Sequence, residues 1–76
     1  MKELVEYIVK ALVDSPDQVV LTETNTDQAT LIEVRVAPED MGKVIGKQGK
    51  IAKAIRSVVK AAATKEGRRV AVEILR

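Results

Sequence analysis

The chain has 76 residues, a formal net charge of +2, and neither cysteine nor histidine. This length fits one domain, residues 1–76, and is too short for a nucleotide-hydrolysing domain. Without Cys and His the chain has no disulfides, no thiolate chemistry, no usual zinc ligands and no usual general base, so we expect a non-enzyme without metal or cofactor. No apolar run is long enough for export or for spanning a membrane, and we expect a cytoplasmic protein.

The charge is divided unevenly along the chain. Residues 1–41 carry three basic and nine acidic residues, a net charge of −6. Residues 42–76 carry ten basic and two acidic residues, a net charge of +8. A C-terminal half this basic favours a polyanionic partner, although a solvated helix face balanced by the acidic half explains the charge equally well.

The first half of the chain has the pattern of one helix and two strands. An amphipathic helix is predicted over residues 3–14, and Pro16 ends it. Its predicted apolar stripe is Leu4, Ile8, Ala11 and Leu12. Residues 18–24 and 30–36 are predicted strands, and the polar residues 25–28 between them are typical of a turn. The inward face of the second strand is predicted to be Ile32, Val34 and Val36.

The second half is predicted to hold a short helix, a long helix and a third strand. Pro38 suits the first helical turn, and Glu39 and Asp40 favour its positive N-terminal end. This helix ends before Gly46, and the longer helix runs from about Gly49 to about Lys65. The predicted core stripe of the longer helix is Ile51, Ile55, Val58 and Ala62. Gly67 is predicted to close it, and the inward face of the strand over residues 69–75 is predicted to be Val70, Val72 and Ile74.

The resulting order, α-β-β-α-α-β, predicts an α+β fold. A three-stranded sheet with one apolar face needs a cover, and three helices supply it in a two-layer sandwich. The first two strands should form an antiparallel hairpin. The strands on either side of the helix pair should be parallel neighbours, which makes the sheet mixed.

The sharpest functional feature is the tight turn between the two predicted helices. Gly46 and Gly49 flank two polar residues, and glycine permits a sharp turn and the close approach of another backbone. The first amides of the following helix are predicted to be unpaired and to favour a phosphate. The candidate nucleic-acid-binding residues are Val44, Ile45, Gly46, Lys47, Gln48, Gly49, Lys50 and Lys53. Arg56 and Lys60 lie farther along the helix and are more simply explained as solvated surface.

Residues 37–56 and the elements around them resemble a K-homology (KH) domain of type II, which has its extra helix and strand at the N-terminus. The resemblance implies that the backbone-clamping loop for single-stranded RNA consists of Gly46, Lys47, Gln48 and Gly49, with Val44 and Ile45 as the groove floor. It also implies a bacterial RNA chaperone or post-transcriptional regulator with low sequence specificity. The implied partners are a second copy, a larger KH-containing protein, or both.

Two features of the chain bear on how it would bind a single strand. Ala52 stands where many KH domains have a larger aliphatic residue, which changes the shape of the groove and argues against tight base discrimination. Tyr7 is the only aromatic residue, so stacking platforms cannot contribute to the groove.

Other functions stay open from the residues alone. A protein-interaction module would use the turn and the long helix as a dimer interface and bind RNA only in a complex. The same groove would accept single-stranded DNA. An anionic membrane is disfavoured because the basic helix offers no Trp or Phe anchor, and a nucleotide-binding P-loop is excluded because Gly42 and Gly46 are one residue too close.

Overall fold

The computed structural model describes residues 1–75 and has the element order expected from the sequence. The helices are α1 (Lys2–Leu12), α2 (Met41–Ile45) and α3 (Lys50–Lys65), and the strands are β1 (Val20–Asn25), β2 (Ala29–Arg35) and β3 (Arg69–Leu75). Single 3₁₀ turns cover Pro16–Gln18, Pro38–Asp40 and Lys47–Gly49. The α+β fold with the order α-β-β-α-α-β is confirmed. Within residues 1–75, no helix combines the length and the apolar character needed to cross a bilayer.

The three strands form one mixed sheet with β2 at its centre. β1 is antiparallel to β2, with Leu21 opposite Val34, and the chain turns between them at residues 26–28. β2 is parallel to β3, with Ile32 beside Val72. The segment that joins these two parallel strands contains α2 and α3. The mixed sheet predicted from the sequence is confirmed, and β1 and β3 are its two edges.

The core lies between the sheet and the helices and is entirely aliphatic. Ile32 and Val34 of β2 are fully buried, as their alternation predicts. The buried core cluster consists of Val5, Val9, Val13, Ile32, Val34, Val36, Val44, Ile55, Val59 and Val72. Full burial of such a side chain contributes about 1.5–3 kcal/mol relative to exposure. In this cluster the contacts of Val44, Ile55 and Val59 hold α2 and α3 in place and so fix the turn between them.

The predicted apolar stripes of the two long helices were partly wrong: Ile55 is buried as predicted, but Ile8, Leu12 and Ile51 are only partly buried against the core. The buried residues of α1 are Val5 and Val9, with Val13 just after it, whereas Ala11 is exposed. The buried residues of α3 are Ala52, Ile55, Val59 and Ala63. Val58, predicted in the core, has 51% of its surface exposed. Both helices carry apolar residues on two neighbouring sides, and only packing against the sheet decides which side is buried.

Candidate nucleic-acid interface

Residues 46–49, hereafter the GxxG turn, link α2 to α3 through an unusual backbone conformation. The φ angles of Gly46, Gln48 and Gly49 are 77°, 59° and 74°, all in the region that favours glycine. The amide of Gly46 donates to the carbonyl of Gly42 at 2.9 Å and so closes α2. Because a positive φ is costly for most side chains, this backbone path depends on its two glycines. Asn, Asp and a few other polar residues tolerate such angles best, and Gln48 occupies the non-glycine position.

The amides at the start of α3 are partly engaged within the turn. Gly49 donates its N–H to the carbonyl of Gly46 at 3.1 Å, and Lys50 donates its N–H to the carbonyl of Lys47. The sequence predicted that the first amides of this helix are free, and for these two residues that prediction was wrong. The exposed side chains at the turn and at the start of α3 are those of Lys47, Gln48 and Lys50.

The lysines near the turn are available to a ligand. Lys47, Lys50 and Lys53 are exposed and, within residues 1–75, form no ion pair. Three unpaired ammonium groups within two helical turns make a positive surface that attracts anions. The structure thus brings together the basic residues that the sequence singled out.

The two residues predicted as a groove floor have different environments. Val44 is fully buried and belongs to the core cluster, so its side chain has no surface on which a base could lie. Ile45 packs against the same cluster but is only partly buried. Of the two, only Ile45 can offer an aliphatic contact to a ligand. Ala52 is also buried, which leaves the surface beside the turn without a large aliphatic side chain at that position.

The far end of the basic side of α3, which we define as Lys50, Lys53, Arg56 and Lys60, lies beside β3. A cavity of about 340 Å³ lies between this side and the free edge of β3. Its lining residues are Arg56, Lys60, Val70, Ala71, Val72 and Glu73. The Nε of Arg56 donates to the carbonyl of Val72 at 3.1 Å, so this guanidinium lies against the strand edge. Spacing along α3 links these residues to Lys53, but their position beside β3 is set by tertiary structure.

A buried carboxylate that the sequence reading missed anchors the start of α2. Asp40 was predicted to favour the helix N-terminus, but its side chain is fully buried and accepts the amides of Asp14 at 3.3 Å and Ser15 at 3.0 Å. Lys43 pairs with Asp14 and lies 3.5 Å from Asp40. Burial raises the pKa of Asp40, but the two amides and Lys43 more than offset it and hold the pKa below the usual value.

The ammonium group of Lys43 is therefore held in ion pairs, unlike those of the other lysines of this region. Its hydrogen bond to Asp14 raises the pKa of its ammonium group, with a further contribution from the charge of Asp40. These carboxylates bind a lysine, and within the described part of the chain no group of three or more acidic side chains is placed to hold a metal ion. Lys43 belongs to the scaffold of the site and not to its exposed positive surface.

Comparison with known proteins gives consistent results over nearly the whole chain. The family described as "KhpA/KhpB, KH domain" matches residues 2–74. Similar proteins include the RNA-binding protein KhpA of Clostridium acetobutylicum, with 63% identity over 99% of this chain and 100% of the relative. The RNA-binding protein KhpA of Caldanaerobacter subterraneus is 64% identical with the same coverage of both chains.

Among solved structures, a variant of Aquifex aeolicus Era bound to GDP and AlF₄⁻ has a similar fold. The TM-score is 0.69 at 19% sequence identity, and the match covers 96% of this chain and 28% of the Era chain. At this level of identity the likeness concerns the fold alone. It places the arrangement of three strands and three helices within a known architecture.

Proposed function

The chain belongs to the KhpA/KhpB family of KH domains, as the resemblance of residues 37–56 predicted, and on this premise we propose that its GxxG turn clamps single-stranded RNA. Relatives that match it over their full length are RNA-binding proteins. In this proposal the turn holds the sugar–phosphate backbone and the adjacent lysines neutralise phosphates. The protein then acts in the bacterial cytoplasm as an RNA chaperone or post-transcriptional regulator.

The observation that supports the proposal most directly is the geometry of the turn. Gly46 and Gly49 let the backbone bend sharply, while Lys47 and Gln48 between them are exposed. A ligand backbone can approach the turn closely at Gly49, where the position that a β-carbon would take is open, whereas the same position on Gly46 faces Ile51. KH domains use this kind of loop to clamp four nucleotides of an extended strand.

The basic side of α3 extends the proposed site from the turn towards β3. Lys50 and Lys60 are ten residues apart, or about 15 Å along the helix axis. An RNA strand that leaves the turn along this side reaches the cavity beside Val72, where Arg56 and Lys60 line the wall. We therefore add Arg56 and Lys60 to the proposed contacts, whereas Val44, which is fully buried, supports the site only as part of the core.

Low sequence specificity follows if binding rests on phosphate contacts, because these contacts carry no information on the bases. Tyr7, the only aromatic residue, lies on α1, and the remaining apolar residues near the turn are small or partly buried aliphatics. Base stacking on aromatic side chains is worth about 1–3 kcal/mol per base and is sequence-tolerant, but it is not available here. Binding in this proposal rests on phosphate contacts and should weaken steeply with salt.

The experiment that tests the proposal measures binding of a labelled unstructured RNA of about twenty nucleotides. The variant is Lys47→Asp/Gln48→Asp, in which Asp tolerates the left-handed conformation at position 48. A matched control is Lys2→Asp/Gln18→Asp, with the same residue changes and the same net charge at exposed positions on α1 and the turn after it.

The proposal expects the wild type and the control to bind, more weakly at high salt, while the folded turn variant does not. Circular dichroism verifies folding of both variants. Equal binding by all three proteins would contradict the proposal. A DNA strand of the same sequence, used as competitor, separates a general single-strand binder from an RNA binder.

One observation favours a second candidate function, a dimerising protein-interaction module. Val58 has 51% of its surface exposed in the middle of α3, and its neighbours Ala54 and Ala61 are also exposed. This apolar surface suits a homodimer, a heterodimer with a larger KhpB-like protein, or both, and two weak sites in one dimer gain avidity. Sedimentation of the wild type and of Val58→Lys tests it, since the charged residue should abolish association.

A further inference from the structure

α2, the short helix that leads into the GxxG turn, is too short to fix its own orientation. α2 has five residues, and isolated helices shorter than about 12–15 residues are marginal in water. It begins directly after the 3₁₀ turn Pro38–Asp40 and ends at Gly46. Its orientation must therefore come from tertiary contacts, which include the burial of Val44, the packing of Met41 and Ile45 against the core, and the hydrogen bonds of Asp40.

Asp40 makes a two-point contact with a distant part of the chain. One carboxylate oxygen accepts the amide of Asp14 at 3.3 Å and the other accepts the amide of Ser15 at 3.0 Å. These amides belong to the segment that follows α1. Two parallel hydrogen bonds from consecutive amides fix a direction as well as a distance, as in other bidentate carboxylate contacts.

The remaining charge of Asp40 is compensated by Lys43, one helical turn further along. The ammonium group of Lys43 lies 3.5 Å from Asp40 and also pairs with the Asp14 carboxylate. The start of α2 and the end of α1 are thus joined through one fully buried carboxylate and one lysine. Within residues 1–75, every buried side-chain nitrogen and oxygen has a hydrogen-bond partner.

We infer that Asp40 is a positioning residue for RNA binding, which sets the orientation of α2 and of the GxxG turn without touching RNA. The inference rests on the proposed function of the turn. An asparagine at position 40 keeps the shape of the side chain, but its NH₂ group would face one of the two backbone N–H donors. The two-point contact is then lost, and α2 samples orientations in which the turn does not match the RNA backbone.

The loss of charge and the loss of positioning predict opposite effects of Asp40→Asn on RNA affinity. The substitution removes a negative charge, which by simple electrostatics favours a polyanion. The positioning role predicts binding about tenfold weaker, the factor expected if about a tenth of the folded molecules keep the competent orientation. The slope of log K against log salt should stay at its wild-type value, because no phosphate contact has been removed.

The experiment measures RNA affinity, salt slope and amide exchange of wild type and Asp40→Asn, at a temperature where both are folded. Val5→Ala is the matched control, since it empties space in the core at the opposite end of α1 from Asp14. Asp40→Asn should speed exchange at residues 41–49 and weaken binding. Val5→Ala should lower the melting temperature while its affinity stays within about twofold of the wild type.

Two results would overturn the inference. A folded Asp40→Asn protein that binds RNA as tightly as the wild type, while Lys47→Asp/Gln48→Asp does not bind, shows that the turn acts without this anchor. Full binding by the turn variant itself removes both the proposed function and the inference. If Asp40→Asn does not fold, Lys43→Met takes its place as the test of the inference. Lys43→Met should bind RNA about threefold more weakly, with an unchanged salt slope. A reduced slope would show that Lys43 itself contacts phosphate.

Discussion

Gly46 and Ile51 approach so closely that a β-carbon on Gly46 would lie 2.5 Å from Cγ1 of Ile51 and 2.8 Å from its Cβ. Glycine is thus required at position 46 for two independent reasons, its φ of 77° and this contact. The contact joins the end of α2 to the first turn of α3 across the GxxG turn. At Gly46 the tight turn and the packing of the two helices therefore depend on the same residue.

Gly46→Ala should destabilise the domain by about 3 kcal/mol, since a positive φ costs roughly 1–2 kcal/mol and overpacking a similar amount. Ile51 cannot move away cheaply because three atoms of its branched side chain lie under 3 Å from the new methyl group. Urea denaturation followed by circular dichroism measures the loss as a shift of the midpoint.

The other glycines of this region are matched controls for that substitution. Gly49→Ala meets no atom within 4 Å but keeps a φ of 74°, so it should cost only about 1 kcal/mol. Gly42→Ala lies within α2, meets nothing and has no positive φ, and should change stability by less than about 1 kcal/mol, in the stabilising direction. Equal losses for all three would contradict the role of the Ile51 contact.

The element order was predictable because local patterns decide it. Alternation of apolar residues marks β2 and β3, and glycine marks the turn and the end of α3 at Gly67, whose φ is 71°. The buried side of each long helix was not predictable in the same way. Val58 and Val59 are equally apolar neighbours on α3, and only the position of the sheet buries one of them.

The candidate site, like the fold, was predictable only where its residues lie close together in the sequence. The GxxG turn and its lysines are contiguous in sequence and could be recognised there. The partners of Asp40 lie 25 and 26 residues away, and the contact of Arg56 with Val72 spans 16 residues. Such long-range polar contacts leave no periodic signal. The burial of Val44 likewise depends on how α2 packs against the core.

The observed buried side of α3 predicts that substitutions of two adjacent valines differ greatly in their effect on the free energy of unfolding. Val59→Ala removes two methyl groups from a fully buried position and should cost about 2 kcal/mol. Val58→Ala changes an exposed side chain to the best helix former and should lie within about 0.5 kcal/mol of the wild type. Urea unfolding of both variants at low protein concentration distinguishes them. A larger loss at Val58 would restore the stripe predicted from the sequence.

Lys47 and Lys43 should differ in how they affect the salt dependence of RNA binding. Lys47→Ala removes one exposed, unpaired ammonium group and should lower the slope of log K against log salt by about 0.7. Lys43→Ala should leave the slope unchanged, because Asp14 and Asp40 hold that ammonium group in the wild type, and should instead lower the melting temperature. Titration of labelled RNA at four salt concentrations measures both slopes. A reduced slope for Lys43→Ala alone would move the phosphate site from the turn to α2.

The anchor formed by Asp40 should give the domain a specific dependence on acid. Although burial raises the pKa of Asp40, its bonds to the amides of Asp14 and Ser15 and its contact with Lys43 lower it below the ordinary value of 3.8. A lowered folded-state pKa means that the ionised form stabilises the fold. This stabilisation is fully present above the ordinary value and is lost as pH falls through the lower folded value.

The melting temperature of the wild type should therefore exceed that of Asp40→Asn by several degrees at pH 6. The two melting temperatures should converge as the pH is lowered below 3.8. The difference between the two proteins isolates Asp40 from the other carboxylates, which titrate in both. The contribution of Lys43 to stability has the opposite dependence on pH. Its raised pKa means that its contribution is present below 10.5 and is lost as pH rises through the higher folded value, so wild type and Lys43→Met should converge only in strong alkali. A difference between wild type and Asp40→Asn that stays constant from pH 6 to acid would mean that the carboxylate charge does not hold α2 to the end of α1.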